Sequence, residues 1–316
     1  MSAPALVVLA AGMAKRYGGC KPLAPVGPHG EAVIDLTAGD ALRAGFEKVL
    51  VVIGEATGPA IAYHIRRCWP KSLDVELALQ AEPLGTAHAL LSSRSLVSPD
   101  SPFGVVNADD LYGSAALGAL SEHLLGGGGH ALVAFRLRDT LVSSSPVTRG
   151  ICEPAPDDPG RLGRITERRS IAPGPGGSFV STDGLEPEKL DGDSPVSVNL
   201  WGFTPSIWPV IEAEVRSAYP DIGPDGRRPP PASDGSARGS SGAEVLLPEV
   251  VATMIARDEG RVALLRSSDR CIGVTHPGDL PAVRAEIAAM IARGERPESP
   301  WALGVPPPRA PGGTGP

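Results

Sequence analysis

Residues 6–26 read LVVLAAGMAKRYGGCKPLAPV, an apolar run that gives way at Gly12 to glycines, cations and prolines. A continuous apolar run of this kind predicts a strand that is buried on both faces of a sheet. Glycine lets the backbone after the strand approach a ligand closely. The cations that follow, Lys15, Arg16 and Lys21, repel one another unless an anion lies among them. The stretch therefore indicates an anion-binding loop at the end of a core strand.

Apolar runs and helical patterns alternate through the first half of the chain. Strands are predicted at residues 5–11, 48–54, 74–80, 103–109 and 130–137. Helices are predicted at residues 34–44, 58–68, 85–96 and 113–125. This alternation predicts an α/β fold with a Rossmann-like, mostly parallel mixed sheet flanked by helices. Ligands of such sheets bind at the carboxyl ends of the strands, where the opening stretch lies.

The second half is less regular, so we predict a single domain with an elaborated second half. Strands are predicted at 196–203 and 261–267, and helices from Thr204 or Ser206 to Tyr219, at 248–258 and at 280–293. Proline, glycine and aspartate predict loops at 153–160 and 172–195, with a short strand in GRITERRSI between them. The low-complexity residues 220–242 predict a flexible insertion, and residues 295–316 a disordered tail.

The composition disfavours several classes of protein. The net charge of −7 makes nucleic acid a poor partner. No apolar run reaches the roughly 18 residues of a membrane span, and the first residues lack the basic segment of a signal peptide. The cysteines at 20, 68, 152 and 271 are scattered without metal spacing, which favours reduced thiols. We expect a cytoplasmic protein, and its oligomeric state stays open.

Two common phosphate-binding loops are excluded after the first strand. The Walker pattern needs a second glycine where Tyr17 stands, and the dinucleotide pattern G-x-G-x-x-G needs one where Ala14 stands. A dinucleotide-dependent dehydrogenase is therefore disfavoured. The alternative to an anion site is a surface turn with solvated cations, which the position directly after a buried strand argues against.

A second polar loop follows the third predicted strand, in QAEPLGTAHAL over residues 80–90. Gln80 carries both a donor and an acceptor, which suits the edge of a nucleobase. Gly85 and Thr86 open a helix, where free amides and a hydroxyl can contact a ligand. The alternative is that Gly85 or Thr86 only caps the helix.

A third polar loop, in VVNADDLYG over residues 105–113, follows the fourth predicted strand. Adjacent carboxylates at the end of a buried strand repel each other without a cation. Mg²⁺ typically takes one or two carboxylates together with phosphate and water, so Asp109 is the candidate ligand. Asp110 has the alternative role of capping the helix that begins near Tyr112.

These motifs, together with RITERR, VNLWGF and GVTHPGDL further along, resemble the NTP-dependent sugar-1-phosphate nucleotidyltransferases, the NDP-sugar pyrophosphorylases with a GT-A-like fold. The resemblance runs in order from about residue 5 to residue 292. It implies that residues 1–135 bind the nucleotide and that residues 136–294 bind the acceptor. It also implies Mg²⁺ as the cofactor, and an NTP and a phosphorylated small molecule as substrates.

The resemblance assigns roles to individual residues. The nucleotide would be bound by Leu9, Ala10, Ala11, Gly12, Met13, Gln80, Gly85, Thr86 and Asp109. Catalysis would rest on Arg16 and Lys21, which hold the triphosphate, and on Asp109, which ligates the metal. The acceptor would be bound by Glu167 and Asn199 at its hydroxyls and by Arg168 at its phosphate. A second metal ligand would be Thr275 or Asp279.

Three residues depart from the family pattern: Ala14 replaces a glycine, Lys15 replaces a hydroxyl residue, and Thr275 replaces an Asp or Asn. The implied reaction joins an NTP to a sugar-1-phosphate and releases pyrophosphate. The alternatives are transfer to a cyclitol phosphate, a phosphonate or a cofactor precursor, and a non-catalytic nucleotide sensor. The sequence does not choose the base, the acceptor or the pathway.

Overall fold

The computed structural model describes residues 3–12, 18–143, 145–228, 243–274 and 276–302. Its strands, in chain order, are β1 (Ala5–Ala10), β2 (Lys48–Gly54), β3 (Asp74–Gln80), β4 (Phe103–Asn107), β5 (Asp110–Leu111), β6 (His130–Arg136), β7 (Val147–Ala155), β8 (Asp158–Pro173), β9 (Phe179–Ser181), β10 (Lys189–Leu190), β11 (Pro195–Ser197), β12 (Trp201–Phe203), β13 (Val262–Arg266) and β14 (Ile272–Gly273). Its helices are α1 (Val33–Arg43), α2 (Gly58–Cys68), α3 (Thr86–Leu91), α4 (Ser114–Leu125), α5 (Trp208–Ala218), α6 (Leu247–Ala256) and α7 (Leu280–Ala292).

The first strand lies inside the parallel part of the main sheet. It pairs in parallel with β2 on one side and with β4 on the other, and β3 pairs in parallel with β2. Beyond β4 the sheet becomes mixed, because β12 pairs antiparallel with both β4 and β6. Since these strands are parallel, the ends of β1, β3 and β4 come together at one edge. This confirms the predicted α/β fold with a large mixed sheet.

Successive residues of β1 pack in two different hydrophobic cores, one on each face of the sheet. Val7 packs in the core on one face of the sheet, which includes residues of α3, α5 and α6. Leu6 and Val8 pack in the core on the other face, with residues of α1, α2 and α4. All three side chains are fully buried. The continuous apolar run is therefore explained by a strand that is covered on both faces.

The third helix is shorter than predicted. The expected helix 85–96 ends at Leu91 and is followed by a 3₁₀ turn at Arg94–Leu96. At this end the Ser92 hydroxyl donates to the His88 carbonyl at 2.9 Å, and the Ser93 hydroxyl donates to the Leu90 carbonyl at 2.7 Å. Serine side chains that bond to nearby backbone compete with continuation of a helix.

The predicted loop 153–160 is largely strand, whereas 172–195 is mostly loop, as predicted, with the short strands β9 and β10 inside it. Residues 153–155 and 158–160 belong to an antiparallel hairpin of β7 and β8, which β9 and β10 extend. The register of β7 against β8 shifts on both sides of Pro154, so the proline sits at an irregularity where the ladder is already interrupted. Local turn composition is thus overridden by pairing between strands.

The predicted strand 196–203 is divided into β11 and β12. Asn199 between them has a φ of 64°, in the left-handed region that asparagine tolerates better than most residues. The chain passes there from pairing with β7 to pairing with β4. The break turns the Asn199 side chain towards the ends of the parallel strands.

The predicted tail is packed over its first residues. Arg296 is buried and pairs with the buried Asp40 of α1, and the Trp301 ring lies 5.7 Å from the Trp69 ring. Residues 303–316 lie outside the described residues, as do residues 229–242 of the predicted insertion. Within the described ranges, no helix has both the length and the apolar character that crossing a membrane requires.

Candidate functional site

The strand ends enclose a cavity of about 600 Å³, which we call the strand-end cavity. It contains most of the residues that the motifs predicted for the nucleotide. Its lining comprises Leu9, Ala11, Gly12, Gln80, Pro83, Gly85, Thr86, Ala89, Asn107, Asp109, Asn199 and Glu244. The structure therefore brings the loops after β1, β3 and β4 to one site, as the topology of a parallel sheet requires.

A second cavity of about 290 Å³ lies beside the β7–β8 hairpin, and we call it the hairpin cavity. Its lining comprises Asn107, Asp110, Thr148, Arg149, Gly150, Ile165, Glu167, Ser197, Val198, Asn199, Pro248, Glu249 and Ala252. Asn107 and Asn199 line both cavities. The two spaces thus adjoin, and two amide side chains stand at their junction.

Lys21 and Asp109 form an ion pair at the site. The Lys21 Nζ atom lies 2.8 Å from the Asp109 Oδ2 atom. Lys21 opens a 3₁₀ turn with Pro22 directly after it, and the Val274 amide donates to the Asp109 carbonyl at 3.2 Å. Both the first loop and the GVTHPGDL segment are therefore held next to the predicted metal ligand.

The neighbouring carboxylate, Asp110, lies deeper than Asp109. Its Oδ2 atom accepts a hydrogen bond from the side-chain amide of Asn107 at 3.1 Å. Burial, and then the nearby Asp109 carboxylate, raise the pKa of Asp110 to about 6. Asp110 does not cap α4: the carboxylate that accepts the Ala116 amide there, at 2.9 Å, is Asp269.

Tyr112 fixes the two asparagines relative to each other. Its hydroxyl accepts a hydrogen bond from the backbone N–H of Asn107 at 3.0 Å and donates one to the Val198 carbonyl at 2.8 Å. Because Tyr112 is buried, this bridge ties the end of β4 to the break before β12. The Asn199 Oδ1 atom in turn accepts the Trp201 indole N–H at 3.1 Å, which leaves its amide nitrogen as the donor.

Gln80 is held by a chain of hydrogen bonds at the other side of the strand-end cavity. Its Nε2 atom donates to the Gly85 carbonyl at 3.1 Å and lies 3.0 Å from His88 Nδ1. The opposite His88 nitrogen, Nε2, lies 2.7 Å from the Gly226 carbonyl. The predicted base-contacting side chain is therefore oriented by two buried partners.

The predicted helix-opening residues are engaged by the segment that precedes α6. The Val245 amide donates to the Leu84 carbonyl at 2.8 Å, and the Ala87 amide donates to the Val245 carbonyl at 3.0 Å. The Thr86 hydroxyl accepts the Leu247 amide at 2.8 Å. Gly85 has a φ of 104°, and a Cβ atom there would collide with the Val245 carbonyl.

Arg149 lies in the hairpin cavity, although no sequence pattern pointed to it. Its guanidinium donates to the Thr140 hydroxyl at 3.0 Å, to the Thr140 carbonyl at 2.7 Å and to the Thr148 carbonyl at 2.8 Å. All of these acceptors are neutral, and no carboxylate among the described residues forms an ion pair with Arg149. The cavity thus contains a cation whose charge is not matched by a directly paired anion.

Of the two neighbouring residues predicted for the acceptor, only Glu167 lines the hairpin cavity. Arg168 is buried and pairs with both Asp183 oxygens, at 2.9 and 3.0 Å, while also donating to the Leu185 and Pro187 carbonyls. Adjacent residues of a strand point to opposite faces. The structure consequently brings Glu167 to the site and Arg168 to the β9–β10 extension instead.

The remaining predicted residues fall into two groups. Met13, Arg16 and Thr275 lie outside the described residues. Ala10 is buried and lines neither cavity, and Asp279 accepts the His276 amide at 2.7 Å and the Ser143 hydroxyl at 2.9 Å without lining either cavity. The structure therefore gives Asp279 a local capping role at the 3₁₀ turn Pro277–Asp279, which precedes α7.

The donors at the site fit a magnesium ion better than a metal held by protein alone. No group of three or more His, Cys, Asp or Glu side chains with metal-binding geometry occurs in the part of the chain that the structure describes. Mg²⁺ instead uses one or two carboxylates and completes its shell with water and substrate phosphates. Asp109, about one third exposed at the strand-end cavity, meets that requirement.

Comparison with known proteins addresses the first half of the chain. Residues 6–138 match the family model described as Nucleotidyl transferase. The matched segment contains nearly all of β1 to β6 and most of the lining of the strand-end cavity, including Gln80 and Asp109, and it also contains Lys21. This confirms the predicted resemblance to nucleotidyltransferases over these residues. A comparison with curated proteins finds none that matches the chain.

Proposed function

We propose that this chain, a nucleotidyl transferase over residues 6–138, joins an NTP to a sugar-1-phosphate and releases pyrophosphate. The observation that carries the proposal is the pair of adjoining cavities with Asn107 and Asn199 at their junction. Two substrates that react directly need two spaces that meet at the reacting atoms. One cavity contains most of the residues predicted for the nucleotide, and the other contains polar groups and Arg149, which forms no ion pair with a carboxylate among the described residues.

The strand-end cavity is the proposed site of the NTP. Leu9, Ala11 and Gly12 line it with small and apolar surface suited to a base and ribose. Asp109 lines the same cavity and is proposed to face a metal ion, and Lys21, its ion-pair partner at 2.8 Å, is proposed to face the phosphates. Most of this lining comes from residues 1–135, the proposed nucleotide half, but Asn199 and Glu244 are contributed by the second half.

The hairpin cavity is the proposed site of the acceptor. Arg149 offers a cation with no carboxylate partner in the described part of the chain, and a guanidinium binds phosphate through several donors at once. Glu167, Glu249 and Asn199 provide polar groups that suit sugar hydroxyls. A phosphorylated compound with several hydroxyl groups fits this set better than an apolar acceptor does.

The proposed chemistry is a single displacement. A phosphate oxygen of the acceptor forms a bond to the α-phosphorus of the NTP, and the bond from that phosphorus to the pyrophosphate oxygen breaks. The attacking phosphate is ionised at neutral pH, so no protein group has to remove a proton. Lys21 is proposed to stabilise the negative charge that develops on pyrophosphate, together with Arg16. A Mg²⁺ ion held by Asp109 would, when bound, supply further positive charge there.

Pyrophosphate release tests this function. The purified protein with Mg²⁺ is given each of ATP, GTP, CTP, UTP and dTTP against a panel of sugar-1-phosphates. Release that requires both an NTP and one acceptor supports the proposal. No release with any pair, while an NTP binds by calorimetry, would contradict the sugar-phosphate acceptor. Absence of any NTP binding would contradict the nucleotidyl transferase function itself.

A further inference from the structure

The base-contacting end of the strand-end cavity offers hydrogen-bond acceptors from side chains, and we infer that it selects guanine through Gln80 Oε1 and the Glu244 carboxylate. This inference rests on the proposed function, because it assumes that the strand-end cavity takes the nucleotide. It identifies the substrate class as a guanine nucleotide. It also assigns a specificity role to Glu244, a residue far from the matched family segment.

The orientation of Gln80 follows from its hydrogen bonds. A glutamine amide has two N–H donors and one carbonyl oxygen. One N–H is donated to the Gly85 carbonyl and the other reaches His88 Nδ1, so both donors are used within the protein. The Gly85 carbonyl can only accept, which fixes Nε2 on that side.

The Oε1 atom of Gln80 remains for a ligand. Gln80 is only 6% exposed, yet it lines the strand-end cavity. No described residue bonds to Oε1, and this atom is not among the fully buried unpaired atoms of the described residues. The free atom of Gln80 is therefore an acceptor that is open to the cavity.

A neutral His88 ring favours this orientation of Gln80. Its Nε2–H donates to the Gly226 carbonyl, so its Nδ1 must accept when the ring is neutral. Burial is the main cause that lowers the pKa of His88 below its usual value, so the neutral ring is favoured. A neutral His88 cannot release the Gln80 amide to donate to a base.

Glu244 adds a second acceptor at the same end. The next residue, Val245, is bonded on both sides to the loop that contains Gly85, through the Leu84 carbonyl and the Ala87 amide. This holds Glu244 next to the loop that contains Gly85, in the lining that also includes Gln80. The Glu244 side chain lines the cavity, and no partner of it is found among the described residues.

The acceptor pair distinguishes between bases. Guanine has neighbouring donors, N1–H and the N2 amino group, on one edge, and these match a carboxylate through two hydrogen bonds. Uracil and thymine have one N–H between two carbonyl oxygens, which repel a carboxylate. Adenine and cytosine place an unprotonated ring nitrogen next to their amino group. Against such an edge the carboxylate meets a lone pair in place of an N–H donor, so these bases are disfavoured.

The competing role for Glu244 is binding of the ribose hydroxyls. In that role Glu244 would not contact the base, and its substitution would weaken the binding of all ribonucleotides equally. Calorimetric titration of the full chain with ATP, GTP, CTP, UTP and dGTP separates the two, because it reads binding without turnover. We expect GTP and dGTP to bind at least about tenfold more tightly than the other three.

The test variant is Glu244→Gln, which replaces one acceptor oxygen with an amide donor facing the guanine donors. We expect it to weaken GTP binding at least about tenfold and to leave ATP binding unchanged. Glu259→Gln, at an exposed glutamate outside both cavities, is the matched control and should bind GTP like the wild type.

Tighter binding of another NTP than of GTP would overturn the inference while leaving the nucleotidyl transferase function intact. An equal loss for GTP and ATP in the Glu244→Gln variant, with dGTP weak in the wild type, would assign Glu244 to the ribose and would also overturn it. Absence of binding by every NTP would overturn this inference and the proposed function together.

Discussion

Lys21 Nζ and Asp109 Oδ2 lie 2.8 Å apart, so the proposed phosphate-binding cation and the proposed metal ligand neutralise each other. The pair joins a residue from the loop after β1 to one from the loop after β4. Both side chains are partly exposed, Lys21 by 17% and Asp109 by 32%, and Asp109 lines the strand-end cavity. A triphosphate with its metal would replace this contact by a larger set of opposite charges.

Lys21→Ala is expected to reduce turnover by more than about tenfold, because it removes one of the groups that stabilise charge on the leaving pyrophosphate. Arg16→Ala is expected to have a similar effect. Steady-state pyrophosphate release measures both. Lys71→Ala, at a surface lysine that contacts the Arg66 carbonyl, is the control for mutation of a lysine as such. Wild-type rates in both Lys21→Ala and Arg16→Ala would remove the proposed role of the cations.

Arg149→Met is expected to raise the KM for the acceptor at least about tenfold and to leave the KM for the NTP unchanged. The reason is that Arg149 lines the hairpin cavity but not the strand-end cavity. Arg149→Lys keeps the charge but loses the multiple donors, so it should recover part of the lost affinity. An unchanged KM for the acceptor in Arg149→Met would exclude Arg149 as the phosphate-binding group.

Arg168→Met is expected to lower the melting temperature by at least about 5 °C, since it leaves Asp183 without its buried partner. Arg168 holds the pKa of Asp183 well below its usual range, chiefly by hydrogen bonding. Both KM values should stay unchanged when measured below the transition. Arg169→Met, at the exposed neighbour, is the control. A selective increase of the acceptor KM would contradict this and show that Arg168 takes part in acceptor binding.

His130 predicts a specific pH dependence of stability. Burial lowers its pKa to about 4, and its ring accepts the Thr204 amide at 3.2 Å. The unfolded chain therefore binds a proton near pH 6.5 that the folded chain does not bind until about pH 4. The free energy of unfolding should fall as the pH drops through this window, by up to about 3 kcal/mol.

Urea denaturation between pH 4.5 and 8 measures this effect. His130→Gln keeps a hydrogen-bond acceptor but cannot titrate, so the difference between the two stability curves should narrow as the pH falls. Parallel curves for the wild type and the variant would show that His130 does not contribute to the acid sensitivity.

The parallel core could be predicted from sequence because its signal is local. β2 and β3 were predicted with their observed bounds, and β1 within one residue, since each is a continuous or alternating apolar run. The turn end of the β7–β8 hairpin, residues 153–160, was predicted as loop, because Pro154 and its neighbours have turn composition and only the pairing between strands makes them extended. Local composition does not contain that information.

The residues of the candidate site also differ in whether a local sequence motif marks them. Gln80 is the last residue of β3 and Asp109 follows β4, both in recognisable motifs, and the structure brings both to the strand-end cavity. Arg149 and Glu244 lie in segments without a motif and reach the cavities only through long-range contacts. For Arg168 the competing partner, Asp183, lies fifteen residues further along the chain in a region that the sequence predicted as loop. Such pairing decides which of two adjacent charged residues faces the site.

The junction of the two cavities at Asn107 and Asn199 has a stereochemical consequence for the proposed transfer. Both substrates can be present together, so the nucleotide need not pass first to a side chain of the protein. A single displacement inverts the configuration at phosphorus, whereas transfer through a covalent intermediate would retain it. An NTP carrying a chiral sulfur-substituted α-phosphate should therefore give a product of inverted configuration at that phosphorus.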